Sequence, residues 1–244
     1  MKIMIDKQEI EAYPEETIMD AARRNGVFIP GLCWDEAVEK TNCCRLCMVE
    51  TTDGSRKKLV AACAFRVKEG LRVDTDSKRV QRIRKTLLRL MYTQAPDNPT
   101  IMELMRLCHV TPHPALPLKA DSRQCILCRL CVGSCQALGA SSISPILRGI
   151  EKRIDTPYSK ASETCIGCAS CARICPTGCI DVEDTPEHRT IWNRQFEWIR
   201  CEQCGAIITT KEHFAASTPP GTPALCPVCR RKAQAEVFAK TLGE

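Results

Sequence analysis

The sequence predicts an α+β chain assembled from small modules around cysteines, without one large apolar core. Three observations carry that prediction. The 244 residues include 19 cysteines, many of them in C-x2-C spacings. Aromatic residues are scarce at 5%, and the apolar residues fall in short segments of alternating strand and helix character.

The cysteine content would suit a disulfide scaffold in a short secreted protein. Met1 to Tyr13, however, alternates charged and apolar residues and has no apolar secretory core or small-residue cleavage site. The expectation is therefore a cytoplasmic protein in a reducing compartment, where recurring C-x2-C pairs serve as metal thiolates. No stretch approaches the length of a membrane span, so direct membrane insertion is not expected. The net charge of +6 is moderate and is weak support for a nucleic-acid partner.

Along the chain, Met1–Ile5 and Glu9–Ala12 read as a hairpin, and Glu16–Asn25 as a helix closed by Gly26. Met48–Thr52 and Leu59–Ala62 read as strands around an Asp53-Gly54 turn, with Leu71–Asp74 as a further strand. Ser77 caps a helix running to Thr93, whose apolar stripe is Val80, Ile83, Leu87 and Leu90. Lys78, Arg79, Arg82, Arg84, Lys85 and Arg89 fall on its other face, read as solvated, with an acidic partner subunit or nucleic acid as alternatives. This gives a first domain over 1–93. A helical and proline-rich linker over 94–119 holds a short helix, Thr100–Cys108, then Pro112, Pro114 and Pro117. A boundary near Lys119 opens a domain over 120–194, which contains two similar cysteine runs forty residues apart. Residues 195–244 carry two further C-x2-C pairs and a helix over Ala233–Leu242.

Cys33, Cys44, Cys47 and Cys63 are spaced C-x10-C-x2-C-x15-C. A 2Fe-2S cluster needs four thiolates converging on two irons, and a long loop ending in C-x2-C with a distant fourth cysteine supplies them. The phrases Ile29-Pro30-Gly31-Leu32-Cys33-Trp34, Cys44-Arg45-Leu46-Cys47-Met48-Val49-Glu50, Ala61-Ala62-Cys63-Ala64 and Gly70-Leu71-Arg72-Val73 resemble a known family. It is the N-terminal iron-sulfur domain shared by the large complex I iron-sulfur subunit, the small diaphorase subunit of NAD-reducing hydrogenases, and iron-only hydrogenases. The resemblance covers residues 1–93 and implies a 2Fe-2S ferredoxin-like fold of β-grasp type. Succinate dehydrogenase iron-sulfur subunits share the cluster order but use a shorter first gap. Cys43 stands beside Cys44 where the family has a small residue; Cys44 is read as the ligand because it keeps the C-R-x-C phrase, with Cys43 as the alternative.

The complex I relatives carry a further His-x3-Cys-x2-Cys-x5-Cys site after this domain. Here only Cys108, His109 and His113 occupy that region, so no cluster is expected and Cys108 is read as a buried thiol. Cys125, Cys128, Cys131, Cys135 and Cys165, Cys168, Cys171, Cys175 each form a C-x2-C-x2-C-x3-C run, the second followed by Pro176. Two copies match the bacterial 2[4Fe-4S] ferredoxin, in which each fourth cysteine crosses to the other cluster. Cluster A would then take Cys125, Cys128, Cys131 and Cys175, and cluster B Cys165, Cys168, Cys171 and Cys135. Asp121 and Arg123-Gln124-Cys125-Ile126-Leu127-Cys128 also match the phrase that precedes this module in the hydrogenase and complex I relatives. Cys179 is left as a packed thiol. Cys201, Cys204, Cys226 and Cys229 form two knuckles of a zinc-ribbon-like segment; tetrahedral thiolates favour zinc, with rubredoxin-type iron or another cluster as alternatives.

One 2Fe-2S cluster, two 4Fe-4S clusters and one zinc describe a conductor of single electrons. No glycine-rich nucleotide fingerprint follows a strand, so no substrate site is expected in the chain itself. The resemblance implies a relay between an NAD(P)H-binding flavoprotein subunit and a hydrogenase subunit. A formate dehydrogenase or another bifurcating or respiratory reductase is the alternative. A zinc-ribbon nucleic-acid-binding protein is the rival from another class.

Overall fold

In the computed structural model the described residues are 1–38, 41–118 and 124–242. The expected boundary at Lys119, and the Asp121 and Arg123 positions of the resemblance, lie outside them.

The first domain is a five-stranded sheet of order β2-β1-β5-β3-β4. Its strands are β1 (Lys2–Ile5), β2 (Gln8–Glu11), β3 (Met48–Asp53), β4 (Arg56–Ala61) and β5 (Arg72–Asp74). β1 and β5 run parallel while the other neighbours are antiparallel. Ile3 and Ile5 alternate inward on β1, as a half-buried strand requires. They meet Ile18, Met19, Ala21 and Ala22 of α1 (Ile18–Arg24) in one core. Thr17 and Asp20 close that helix with a reciprocal capping box. The β3–β4 turn is Gly54-Ser55, one residue later than expected, because Asp53 still pairs with Arg56 and Gly54 supplies the left-handed φ of +59°.

α2 (Lys78–Gln94) is capped by Ser77 as expected, but its buried face is rotated from the expected stripe. Val80, Arg84 and Leu88 point inward and Leu90 is 48% exposed. Arg84, assigned by sequence to the outer basic face, is buried. Its guanidinium donates to the carbonyls of Leu46 at 3.2 Å and Met48 at 3.1 Å. The segment read as a linker contains α3 (Pro99–Leu107), which is part of a packed core. Ile101, Leu104 and Met105 join Leu88, Leu46, Cys33, Cys44, Cys128 and Leu130 there.

The second half contains α4 (Leu130–Ala137), β6 (Ser144–Ile146), β7 (Arg153–Asp155) and α5 (Ser170–Arg173). A four-stranded antiparallel sheet follows, of order β11-β10-β9-β8. It is built from β8 (Glu183–Asp184), β9 (His188–Ile191), β10 (Arg194–Arg200) and β11 (Ile207–Thr210). This sheet is continuous across residue 194, so the C-terminal knuckles hang from the same strands that pack against the second cysteine run. α6 (Lys211–Ser217) and α7 (Pro227–Leu242) complete the chain. α7 starts six residues earlier than expected, with Pro227 as its first residue, where proline's fixed φ and missing N–H suit a helix start. Among the described residues no helix is long and apolar enough to cross a membrane.

Candidate metal centres

The first centre lies where the loop after α1 meets β3 and the end of β4. Cys33, Cys44, Cys47 and Cys63 are all buried and fall into two pairs. The Sγ atoms of Cys47 and Cys63 are 3.2 Å apart, and the Cys44 amide donates to the Cys33 sulfur at 3.3 Å. Two thiolates on each of two irons is the arrangement a 2Fe-2S cluster requires, and this donor set fits it. Hydrogen bonds from Cys43 and then Cys44 hold the Cys33 thiol well below the usual thiol range. The Cys63 hydrogen bond brings Cys47 down to about 7. Arg45 between the ligands and Asn42 before them are left-handed, at φ 59° and 50°, a local cost retained where the loop must wrap a bound group.

Cys43 interacts with Cys33 of this set and also reaches beyond it. Its sulfur lies 3.0 Å from the Cys128 carbonyl oxygen and 3.6 Å from that of Leu127, so it faces the second centre.

The two ferredoxin-type runs share a backbone signature. Leu127 and Arg129 in the first, and Gly167 and Ala169 in the second, occupy matching positions and all have φ between 57° and 67°. Left-handed residues at both intervening steps turn three successive cysteines toward one point. One cavity, of about 740 Å³, is lined by Cys125, Cys128, Cys131 and Cys175, together with Cys179. A second is lined by Cys135, Cys165, Cys168 and Cys171. The fourth cysteine of each run thus faces the other run's cavity. Trp192 lines both, and its Nε1 donates to the Cys171 sulfur at 3.5 Å. Burial raises the Cys128 and Cys171 thiols to about 11. Cys131 is raised further, by burial first and then by Cys128, Cys125, Cys175 and, from the other set, Cys171.

Cys179 is the residue that sequence reasoning underrated. Its sulfur lies 3.5 Å from that of Cys175 and hydrogen-bonds Cys125 as well. The signal available was its place four residues after Cys175, but the intervening Pro176 and left-handed Gly178 break any helix that would have made the spacing readable. Cys108, half-buried, packs beside Leu88 and Leu104, with burial raising its thiol.

At the C-terminus the sulfurs of Cys201, Cys204, Cys226 and Cys229 all lie within 4.8 Å of one another. Four thiolates about 2.3 Å from a single tetrahedral ion would sit about 3.8 Å apart, and Cys204 and Cys226 are separated by 3.7 Å. This donor set fits one ion. The amides of Cys226 and Cys229 donate to the sulfurs of Cys201 and Cys226. The first of these contacts leads the causes that lower Cys201 to about 6, and charge-assisted bonds of this kind favour thiolate.

The same sheet grips the second run. Arg194 donates to the carbonyls of Ser162, Glu163 and Cys165, Arg189 to that of Gly167, and the Thr210 hydroxyl to that of Ile166.

Comparison with known proteins gives a consistent picture. A family model described as a 2Fe-2S iron-sulfur cluster binding domain matches residues 1–78. NADPH-Fe(3+) oxidoreductase subunit alpha of Geobacter sulfurreducens is 29% identical over 98% of this chain and 28% of its own length. NADP-reducing hydrogenase subunit HndD of Solidesulfovibrio fructosivorans is 28% identical over 79% of this chain and 37% of its own length. The chain therefore spans less than two fifths of these longer relatives. A solved chain of an NAD+-reducing [NiFe]-hydrogenase superposes with a TM-score of 0.61 at 27% identity, covering 73% of this chain and 85% of that one. The resemblance read from the first cysteine loop thus extends over most of the chain.

Proposed function

We propose that this chain, related along most of its length to iron-sulfur subunits of NAD(P)-linked hydrogenases and oxidoreductases, is the electron relay of such a complex. It would pass single electrons between an NAD(P)H-oxidising flavoprotein and a hydrogenase subunit. The observation that carries this reading is the serial order of the cysteine sets. The first set abuts Cys128 of the second, through Cys43 and Thr41, and the second shares Trp192 with the third. A linear row of one-electron centres conducts charge between separate redox sites.

In this reading Cys33, Cys44, Cys47 and Cys63 hold a 2Fe-2S cluster. Cys125, Cys128, Cys131 and Cys175 hold one 4Fe-4S cluster, and Cys165, Cys168, Cys171 and Cys135 the other. Cys201, Cys204, Cys226 and Cys229 hold a zinc ion, which keeps one oxidation state and braces the sheet that grips the third set. The cysteine sets fall within the expected domains 1–93, 120–194 and 195–244, but the 194/195 limit cuts β10, which pairs with both β9 and β11, and the expected linker 94–119 packs into the core beside the first two sets.

A hydride donor delivers two electrons together, so a flavin must split the pair before a one-electron centre takes part. The isolated, cluster-loaded chain should be reduced by dithionite and not by NADH or NADPH, and adding the flavoprotein should make the nucleotide effective. Bleaching of the flavin-free chain by nucleotide alone would contradict the relay.

A further inference from the structure

Two adjacent cysteines at the tip of the first loop point in different directions. Cys44 is buried and shares the electrostatic environment of Cys33 and Cys63. The Cys43 thiol interacts with Cys33, lies 3.5 Å from the Thr41 hydroxyl and lies 3.0 Å from the carbonyl oxygen of Cys128. One residue of the first loop therefore touches a ligand of the first set and the backbone of a ligand of the second. Thr41 does the same by another route, with its hydroxyl 3.1 Å from the Cys33 carbonyl oxygen and 2.9 Å from that of Cys128. Cys33, Cys44 and Cys128 belong to one continuous apolar core, with Cys43 partly buried against it.

We propose that Cys43, seated by Thr41, is the positioning residue that couples the first cysteine set electronically to the second, with the Cys43 sulfur bridging Cys33 and the Cys128 carbonyl. Tunnelling decays more steeply across empty space than through bonded or hydrogen-bonded atoms, and a polarizable sulfur in the gap shortens the empty part. The step moves one electron: the donor side is oxidised by one, the acceptor side is reduced by one, no bond forms or breaks, and the proton stays on Cys43. The same contact holds the two loops at a fixed separation across 85 positions of sequence. The inference rests on the relay reading for the chemistry of both sets.

The test uses the full cluster-loaded chain, with Cys43→Ala, Cys43→Ser and Thr41→Val variants. It reads iron content, the EPR signals of the dithionite-reduced protein, and the rate of electron equilibration between the first and second sets after flash reduction. Cys43→Ala should keep its iron and both EPR signals and equilibrate several-fold more slowly. Cys43→Ser, which keeps a donor to the Cys128 carbonyl, should fall between Cys43→Ala and the parent, and Thr41→Val should also slow the step. Equal rates in the parent and in all three variants would overturn the role of Cys43. So would loss of the 2Fe-2S signal in both Cys43 variants with its retention in Cys44→Ala, since Cys43 would then be a ligand. If the parent itself passes no electron between the sets, the relay reading fails instead.

Discussion

An added Cβ at Gly167 would lie 2.6 Å from Cγ of Phe196, and the backbone there is left-handed at φ +67°. The matching residue of the first run, Leu127, has nearly the same φ and keeps its side chain, so the ring of Phe196 decides the difference. Gly167→Ala should destabilise the holoprotein by about 1–3 kcal/mol through overpacking. A lowered thermal midpoint, with the EPR signal of the Cys125 set unchanged, is the expected result. The second residue-level expectation concerns crossed ligation. Because Cys179 stands 3.5 Å from Cys175, a lone Cys175→Ala leaves a thiol within reach of the vacated corner. The Cys175→Ala/Cys179→Ala double variant should perturb the centre held by Cys125, Cys128 and Cys131 and spare that of Cys165, Cys168 and Cys171. EPR damage confined to the latter centre would instead mean that each run serves itself.

Elements whose residues alternate or recur regularly were legible from sequence, and those shaped by a neighbour were not. The β1–β2 hairpin, α1 and the Ser77 cap follow from periodicity and capping chemistry. α2 was placed correctly and turned incorrectly, because periodicity treats arginine as outward. Here two carbonyls of the cysteine loop, those of Leu46 and Met48, satisfy the Arg84 guanidinium and compensate its burial. The four-stranded sheet over Glu183 to Thr210 was missed as an element. Its strands are short, and the β9–β10 turn is Trp192-Asn193, both left-handed, where the usual hairpin signal would be Asn-Gly. That sheet links the third cysteine set to the C-terminal knuckles, which bears on the role of the ion. Cys226→Ser should abolish the zinc, about one per chain in the parent, while iron and the three sets of EPR signals persist. A zinc-free parent with an additional paramagnetic iron signal would overturn the zinc assignment.

At the scale of the molecule, the cysteine spacings sorted most of the cysteines into four sets, and their resemblance to a family pointed to the kind of relatives the chain matches. The order of the sets in space was not legible, because it depends on contacts such as that of Thr41 with Cys128, 87 positions away. The residues read as a linker proved decisive: Asn98 ahead of α3 donates to Gln124 Oε1 and to the Thr177 carbonyl, fastening the first half to both ferredoxin-type runs. The core around α3 has a consequence for how the holoprotein is made. Cys33 and Cys44 of one centre and Cys128 of another are walls of the same apolar core, so filling either site orders residues that the other needs. A group that binds a chain already ordered by its neighbour meets a smaller entropic cost, which makes cofactor insertion cooperative. Native mass spectrometry of apoprotein given too little iron and sulfide should therefore show two populations, one empty and one carrying both centres. A spread of singly filled species in statistical proportion would mean that the two sites assemble independently.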